Sequence, residues 1–304
     1  MFLREVHFKP TPLQIIKDPL LAQKGIELWL KRDDLTDPAI QGNKWRKLKY
    51  NLINAKHEGH NTLLTFGGAY SNHIYAVAAA GKRFGFKTIG IIRGEPACEP
   101  TTTLRYAAEQ GMKLLYMNRA QYQLKEDPEN IESLKVQLGN FYLLPEGGTN
   151  LLALQGCVEL VHEIDIDYDH ITVACGTGGT LAGIVAGMNG KRKAIGFSVL
   201  KGADTLSHRV ATLVSDFCET TYTNWHINCD YHRGGYAQID TALVTFIEYF
   251  KLHHLVQLEP VYTAKMLYGL YDLIQNDYFK RGSRIIAIHT GGLQGLNGYM
   301  EYFN

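Results

Sequence analysis

Four short apolar, β-branched runs in this chain each lead into closely spaced glycines, and that pattern restricts the fold more than any other feature. Residues 61–66 enter Gly67-Gly68, and residues 141–144 are followed by Gly147-Gly148. Residues 170–175 enter Gly176-Thr177-Gly178-Gly179-Thr180, and residues 283–289 are followed by Gly291-Gly292. Further strand-like runs cover 87–93, 113–117 and 194–200, whereas helical periodicity marks 71–84, 101–110, 151–163, 179–188 and 261–277. Alternation at this spacing specifies βαβ units with right-handed crossovers, and so an α/β protein on mainly parallel sheet. Ligands of such sheets sit beyond the carboxyl ends of the strands, where glycine lets the backbone approach and helix amino termini present amides. Four glycine-rich ends in one chain point to a ligand bearing phosphate or carboxylate. The densest loop signal is 123–130. There are no repeats or low-complexity tethers, so two domains would be joined by chain crossings.

Composition narrows the partners. The 304 residues suffice for one large or two modest domains. Lys and Arg number 31 against 30 Asp and Glu, a balance that argues against nucleic acid, which needs a concentrated basic surplus. No apolar run approaches the length of a membrane helix, and residues 75–81 are about as long as such runs become. The start, Met1-Phe2-Leu3-Arg4-Glu5-Val6-His7, has no basic stretch followed by an apolar one, so the expectation is a cytoplasmic protein. Five widely spaced cysteines without a Cys-x-x-Cys pair suit free thiols, with Cys157 and Cys175 as small core residues. No His-Glu-x-x-His occurs, and adjacent His253 and His254 would point apart, so no metal is expected.

Three segments carry chemistry. Gly176 to Thr180 follows a strand and opens a helix, so consecutive amides with the Thr177 and Thr180 hydroxyls can wrap a phosphate. It is neither a Walker loop nor a dinucleotide fingerprint, because Leu181 stands where the third glycine would be. Gly42-Asn43-Lys44 precedes a helix marked by Trp45, Leu48, Leu52 and Ala55. An ammonium ion on the first turn of a helix, crowded by Arg46, Lys47 and Lys49, loses basicity, which suits a nucleophilic amine that forms a Schiff base. Lys47 and Lys49 themselves read as a solvated flank. In Gly67-Gly68-Ala69-Tyr70-Ser71-Asn72-His73, Ser71 is a good helix cap, and the loop could also take a carboxylate.

These segments, followed by Pro260-Val261-Tyr262-Thr263-x-Lys265-Met266 and His289-Thr290-Gly291-Gly292, occur in an order that resembles one family. It is the pyridoxal-phosphate enzymes grouped as 1-aminocyclopropane-1-carboxylate deaminases and D-cysteine desulfhydrases, and the likeness runs from about residue 31 to 295. The resemblance implies fold type II: two open, twisted, mainly parallel sheets flanked by helices, with the cofactor in the cleft between domains. A larger domain would comprise 1–46 with 161–304, and a smaller inserted one 47–160. It also implies a homodimer acting on a small amino acid.

Residue by residue, the resemblance implies that Lys44 carries pyridoxal phosphate and that Cys175, Gly176, Thr177, Gly178, Gly179 and Thr180 cradle its phosphate. Asn72 would bond the ring oxygen, while Ser71, with Asn72 and His73 beside it, would take the substrate carboxylate. Tyr236 matches a tyrosine of a Gly-Tyr-Gly loop, with Ala237 in place of the second glycine, and Tyr236 and Tyr262 would face the substrate. Thr263 or Thr290 would meet the pyridine nitrogen. The deaminases carry Glu and Leu at those two positions. A hydroxyl there gives a weaker electron sink than a carboxylate, which favours β-elimination over ring opening. The expectation is therefore conversion of D-cysteine to pyruvate, sulfide and ammonia, with the deaminase activity as the alternative. Tyr70 replaces the family's glutamine. Readings of another class are a nucleotide-binding dehydrogenase and a non-catalytic phosphate-binding protein, both resting on the glycine loop alone.

Overall fold

The structure, a computed structural model, describes residues 9–303, so the amino-terminal stretch read above lies outside the described residues. The chain runs β1 (Leu13–Ile16), α1 (Pro19–Lys24), β2 (Glu27–Lys31), α2 (Asn43–His57), β3 (Thr62–Gly67), α3 (Asn72–Phe84) and β4 (Lys87–Arg93). Then follow α4 (Thr102–Glu109), β5 (Lys113–Met117), α5 (Arg119–Gln123), α6 (Pro128–Leu138), β6 (Tyr142–Leu144) and α7 (Leu151–His162). The remainder is β7 (His170–Cys175), α8 (Gly179–Met188), β8 (Lys193–Ser198), α9 (Leu206–Cys218), β9 (Trp225–Asn228), α10 (Thr241–His254), α11 (Thr263–Gln275) and β10 (Arg284–Ile288).

Two sheets result. One has the order β1-β2-β10-β7-β8-β9, parallel except for the β1–β2 pair, and the other is the all-parallel β5-β4-β3-β6. Alternating residues of a strand face opposite ways. Ile285 and Ala287 accordingly pack with Leu28, Phe197 and Leu270 on one face, while Ile286 and Ile288 pack with Val173, Leu181 and Val185 on the other. Leu48, Leu52 and Ala55 of α2 join the core of the smaller sheet. The strands with glycine-rich ends are neighbours: β3 beside β6 in one sheet, β7 beside β10 in the other.

The α/β class and the seven anticipated strands stand, with shifts of one or two residues at their ends. Short strands β1, β2 and β9 and helices α1, α5, α6, α9 and α10 add to them. The loop expected at 123–130 shrinks to four residues, because Asp127 precedes Pro128 at the first turn of α6, where a missing N–H is harmless. The basic run in α2 corrects the reading of a solvated flank, for Arg46, Lys47 and Lys49 are all buried. Lys49 Nζ meets Glu159 Oε1 at 2.7 Å. Arg46 forms a bidentate pair with Asp33 (2.6 and 2.8 Å) and also bonds both Glu163 oxygens at 2.8 Å. Lys31 Nζ donates to Glu163 at 2.7 Å and to the Thr11 carbonyl at 2.5 Å. Burial alone would raise the Glu163 pKa, but Arg46 and Lys31 outweigh it and hold the carboxyl below its usual range.

This cluster ties β2, the start of α2 and the end of α7 together. Removing one member of a buried ion pair leaves an uncompensated charge, so Arg46→Met should destabilise the protein by about 3–5 kcal/mol. Urea denaturation should show a lower midpoint with an unchanged slope. A change within experimental error would show that the cluster is not needed to seat α2.

Candidate active site

A cavity of about 400 Å³ opens between the two sheets, and glycines from all four strand ends line it: Gly68, Gly147, Gly176 and Gly178, Gly291 and Gly292. Their meeting point is the amino terminus of α2. Gly42 has φ +55°, and a Cβ there would lie 2.1 Å from the Thr290 carbonyl oxygen, so this close approach requires glycine. Gln41 Oε1 accepts from the amides of Gly292 and Leu293, both at 2.9 Å, which fixes the loop after β10. Asn43 Nδ2 donates to Thr180 Oγ1 at 3.0 Å, which links α2 to α8. Lys47 Nζ donates to the Gly147 carbonyl, Thr149 Oγ1 and Thr177 Oγ1 at 3.0, 2.9 and 3.3 Å. One short segment thus gathers the ends of β6, β7 and β10.

Lys44 lines the cavity, on the first turn of α2, and its amine has no hydrogen bond or ion pair among the described residues. Desolvation lowers its pKa from 10.5 to about 8, against the opposing charges of Cys157 and Glu259. Lys47 falls to about 7, first through desolvation and then through the Lys44 charge. The expected crowding by like charge thus acts on Lys47 and not on Lys44, whose loss of basicity comes from burial. A phosphate beside Lys47 would restore its charge.

Ser71 caps α3, where its Oγ accepts from the amides of His73 and Ile74 at 3.2 and 3.3 Å. The hydroxyl proton stays free for another acceptor. Asn72 Oδ1 accepts from Gln294 Nε2 at 2.9 Å, and the Asn72 side chain faces the cavity with the rest of this loop. His73 is buried, and both its ring nitrogens lack a partner among the described residues. Desolvation, then Lys44 and Lys47, keep that ring well below its ordinary pKa and so neutral. Cys175 also lines the cavity, its thiol pushed up to about 12 by burial. Tyr236 and Tyr262 stand edge to face with ring centroids 6.1 Å apart. Ala237 takes φ +60°, the left-handed conformation that suits the family's glycine at this place.

The two threonines separate. Thr290 lines the cavity, whereas Thr263 is fully buried behind it, their hydroxyls 3.5 Å apart. Behind them stands Glu259, which sequence reading missed. Its carboxylate accepts from the amides of Val261 (2.8 Å), Tyr262 (2.8 Å) and Thr263, at the amino terminus of α11. Burial raises it to about 7 in spite of those amides. Lys47 is the other omission. Its spacing of three from Lys44 puts both amines on one helical face, a signal that periodicity could have supplied.

The residues suit a phosphorylated pyridine aldehyde. A free, desolvated amine can bond the aldehyde carbon, and glycines such as Gly178, at φ +83°, leave backbone amides open for the phosphate. Lys47 and Thr177 supply a cation and a hydroxyl beside those amides, and the partnerless His73 nitrogens adjoin the same space.

Comparison with known proteins agrees. The family model for pyridoxal-phosphate dependent enzymes matches residues 5–291. The bifunctional D-cysteine desulfhydrase/1-aminocyclopropane-1-carboxylate deaminase of Arabidopsis thaliana is 32% identical over 94% of this chain and 77% of the relative. The D-cysteine desulfhydrase of Salmonella choleraesuis is 30% identical over 95% of this chain and 94% of the relative. The crystal structure of a homologue of the deaminase superposes with a TM-score of 0.86 at 29% identity, covering 97% of this chain and 93% of that one.

The depressed basicity of Lys44 has a direct readout. In cofactor-free protein, its labelling by a small acylating reagent, followed by peptide mass spectrometry, should rise with pH until about 8 and then level off. Surface lysines should continue to gain towards 10.5, because only the neutral amine reacts. A Lys44 profile that follows the surface lysines would contradict desolvation as the cause.

Proposed function

The chain belongs to the pyridoxal-phosphate dependent enzymes, and from that premise we propose that it is a lyase catalysing β-elimination on D-cysteine, releasing pyruvate, sulfide and ammonia. Family membership leaves the dehydrogenase and the non-catalytic readings without support. The observation that carries the choice of reaction is the hydroxyl of Thr290 on the cavity wall, backed by Thr263 rather than by a carboxylate. Glu259 is spent on backbone amides and does not line the cavity. The same observation disfavours the deaminase alternative.

Pyridoxal phosphate, when bound, supplies a ring that takes up the electron pair released at the substrate Cα. In this reading Lys44 would hold the cofactor, and its amine, when free, would accept the Cα proton. Its low basicity leaves a fraction neutral near pH 8, as both tasks require. Gly176 to Thr180 with Cys175 at their start, aided by Lys47, would hold the phosphate. Asn72 would bond the ring oxygen, and Thr290, supported by Thr263, would meet the pyridine nitrogen. Ser71 donates its free hydroxyl proton to the substrate carboxylate, with His73 beneath it. Tyr236 and Tyr262 orient the departing sulfur, and the Tyr262 phenol, whose pKa is raised first by burial and then by Tyr236, stays protonated as a donor.

We propose further that the sheets mark two domains, 1–46 with 161–304 and 47–160, and that the protein is a cytoplasmic homodimer. The buried free thiols of Cys157 and Cys175 suit a reducing compartment. Among the described residues no helix is long and apolar enough to cross a membrane.

Two assays test the reading. The protein should form pyruvate and sulfide from D-cysteine with little 2-oxobutyrate from the cyclopropane amino acid, and Thr263→Glu with Thr290→Leu should lower elimination by about a hundredfold. Ring opening at rates rivalling sulfide release would overturn the assignment. Lys47→Met should weaken cofactor retention by about tenfold or more, seen as faster loss of cofactor absorbance on dialysis. Retention equal to the unmodified protein would remove Lys47 from the phosphate site.

A further inference from the structure

Arg93, the last residue of β4, is exposed at the mouth of the same cavity, at the edge left open by the residues assigned above. Its guanidinium lies over the ring of Tyr122, 5.8 Å from the centroid, and Tyr122 is itself buried and held by a hydrogen bond from its hydroxyl to Glu146 Oε1 at 2.9 Å. Arg93 Nη2 lies 3.6 Å from where a Cβ of Gly68 would stand, beside the loop that carries Ser71. Across the cavity its charge reaches the Tyr236 phenol, where it counters part of the rise caused by desolvation. Arg93 therefore shares the cavity wall with the loop assigned to the substrate carboxylate and the tyrosine assigned to the leaving group.

Arg93 forms no ion pair and donates no side-chain hydrogen bond among the described residues. The carboxylate nearest in the cavity wall, Glu146, is engaged by Tyr122 and by Lys125 Nζ at 3.2 Å, and its backbone amide donates to Glu126 at 3.2 Å. A guanidinium that rests on an aromatic face keeps its five N–H donors available at its edge, and their fork matches a carboxylate or phosphate. D-cysteine has nothing at its far end that would use such a fork before the thiolate departs. An amino acid with a larger, charged β-substituent has.

We infer that Arg93 determines substrate specificity and that it selects α-amino acids whose β-substituent ends in an anionic group. This rests on the elimination reading and extends its substrate class beyond D-cysteine, which does not use the fork. The chemistry is unchanged: the Cα–H bond breaks with its proton passing to Lys44, and the Cβ–X bond breaks with its electron pair leaving on X. Hydrolysis of the remaining three-carbon enamine gives pyruvate and ammonia. Arg93 neutralises the charge that X carries in the bound substrate, so its contribution to KM and kcat is confined to substrates whose X is anionic.

The test uses the cofactor-loaded enzyme with O-phospho-D-serine as the anionic probe and β-chloro-D-alanine as the neutral one, both read as pyruvate. Arg93→Gln should raise KM for the phosphorylated probe by about ten- to a hundredfold, the worth of one charged hydrogen-bonding partner, and leave the chlorinated probe unchanged. Arg93→Lys should recover part of the loss, since a charge remains without the fork. If turnover of either probe is too slow to follow, the same comparison is made from the probe-induced shift in cofactor absorbance. Equal losses on both probes would assign Arg93 to the α-carboxylate or to structure and overturn the inference. Failure of the unmodified enzyme to bind the phosphorylated probe while it binds the neutral one would also overturn it. A protein that holds no cofactor would instead overturn the reading of the preceding section, and this inference with it.

Discussion

The buried ion cluster around Arg46 is the constraint on which the site depends. Arg46 lies two residues from Lys44 on α2, and it is anchored to Asp33 after β2 and to Glu163 after α7. An α-helix is rigid over one turn, so fixing Arg46 fixes where Lys44 and Lys47 project. Gly42 completes the seat by letting the backbone press against Thr290, and Gln41 holds the glycine loop that follows. Buried charges of this kind do not readily add stability over apolar packing, because desolvation offsets much of their attraction. Their use here is positional. They hold a polar helix between two sheets in one register.

Placing α2 there has an electrostatic consequence. Two lysines one turn apart are both desolvated, and the Lys44 charge further lowers the basicity of Lys47. Glu259 acts against this from behind the threonine pair, and His73 remains neutral between the amines and the loop of α3. Lys47 is the less basic of the two, and a phosphate beside it would restore its charge, while the neutral fraction of Lys44 stays free to bond an electrophile. The site is prepared for that pairing by desolvation and loop convergence.

How much of this could be read from the chain depends on the range of the interactions. The glycine-rich strand ends, the cap at Ser71 and the helix opening at Gly179 are local patterns, and they were legible. So was the free amine at Lys44, because a helix start is visible in a few residues. Lys47 and Lys49 were misread because a polar helical face ordinarily meets water, whereas here it meets Glu159, more than a hundred residues away, and the loops at Gly147 and Thr177. Strands β1 and β9 are four residues long and lie at the edges of the sheet, too short for periodicity to mark them. Helix α6 buries none of its residues, so it offered no apolar stripe, and its first turn read as loop. The order of Thr290 and Thr263, one on the cavity wall and one behind, is a tertiary fact that residue types cannot supply.

The central claim is that Lys44, placed by this cluster, is the amine that carries the cofactor. Borohydride treatment of the yellow purified protein, followed by peptide mapping, tests it most directly. The account predicts loss of colour, with a reduced pyridoxyl group on Lys44 and none on Lys47. Label on Lys47, or a cofactor that washes away after reduction without marking any lysine, would contradict it.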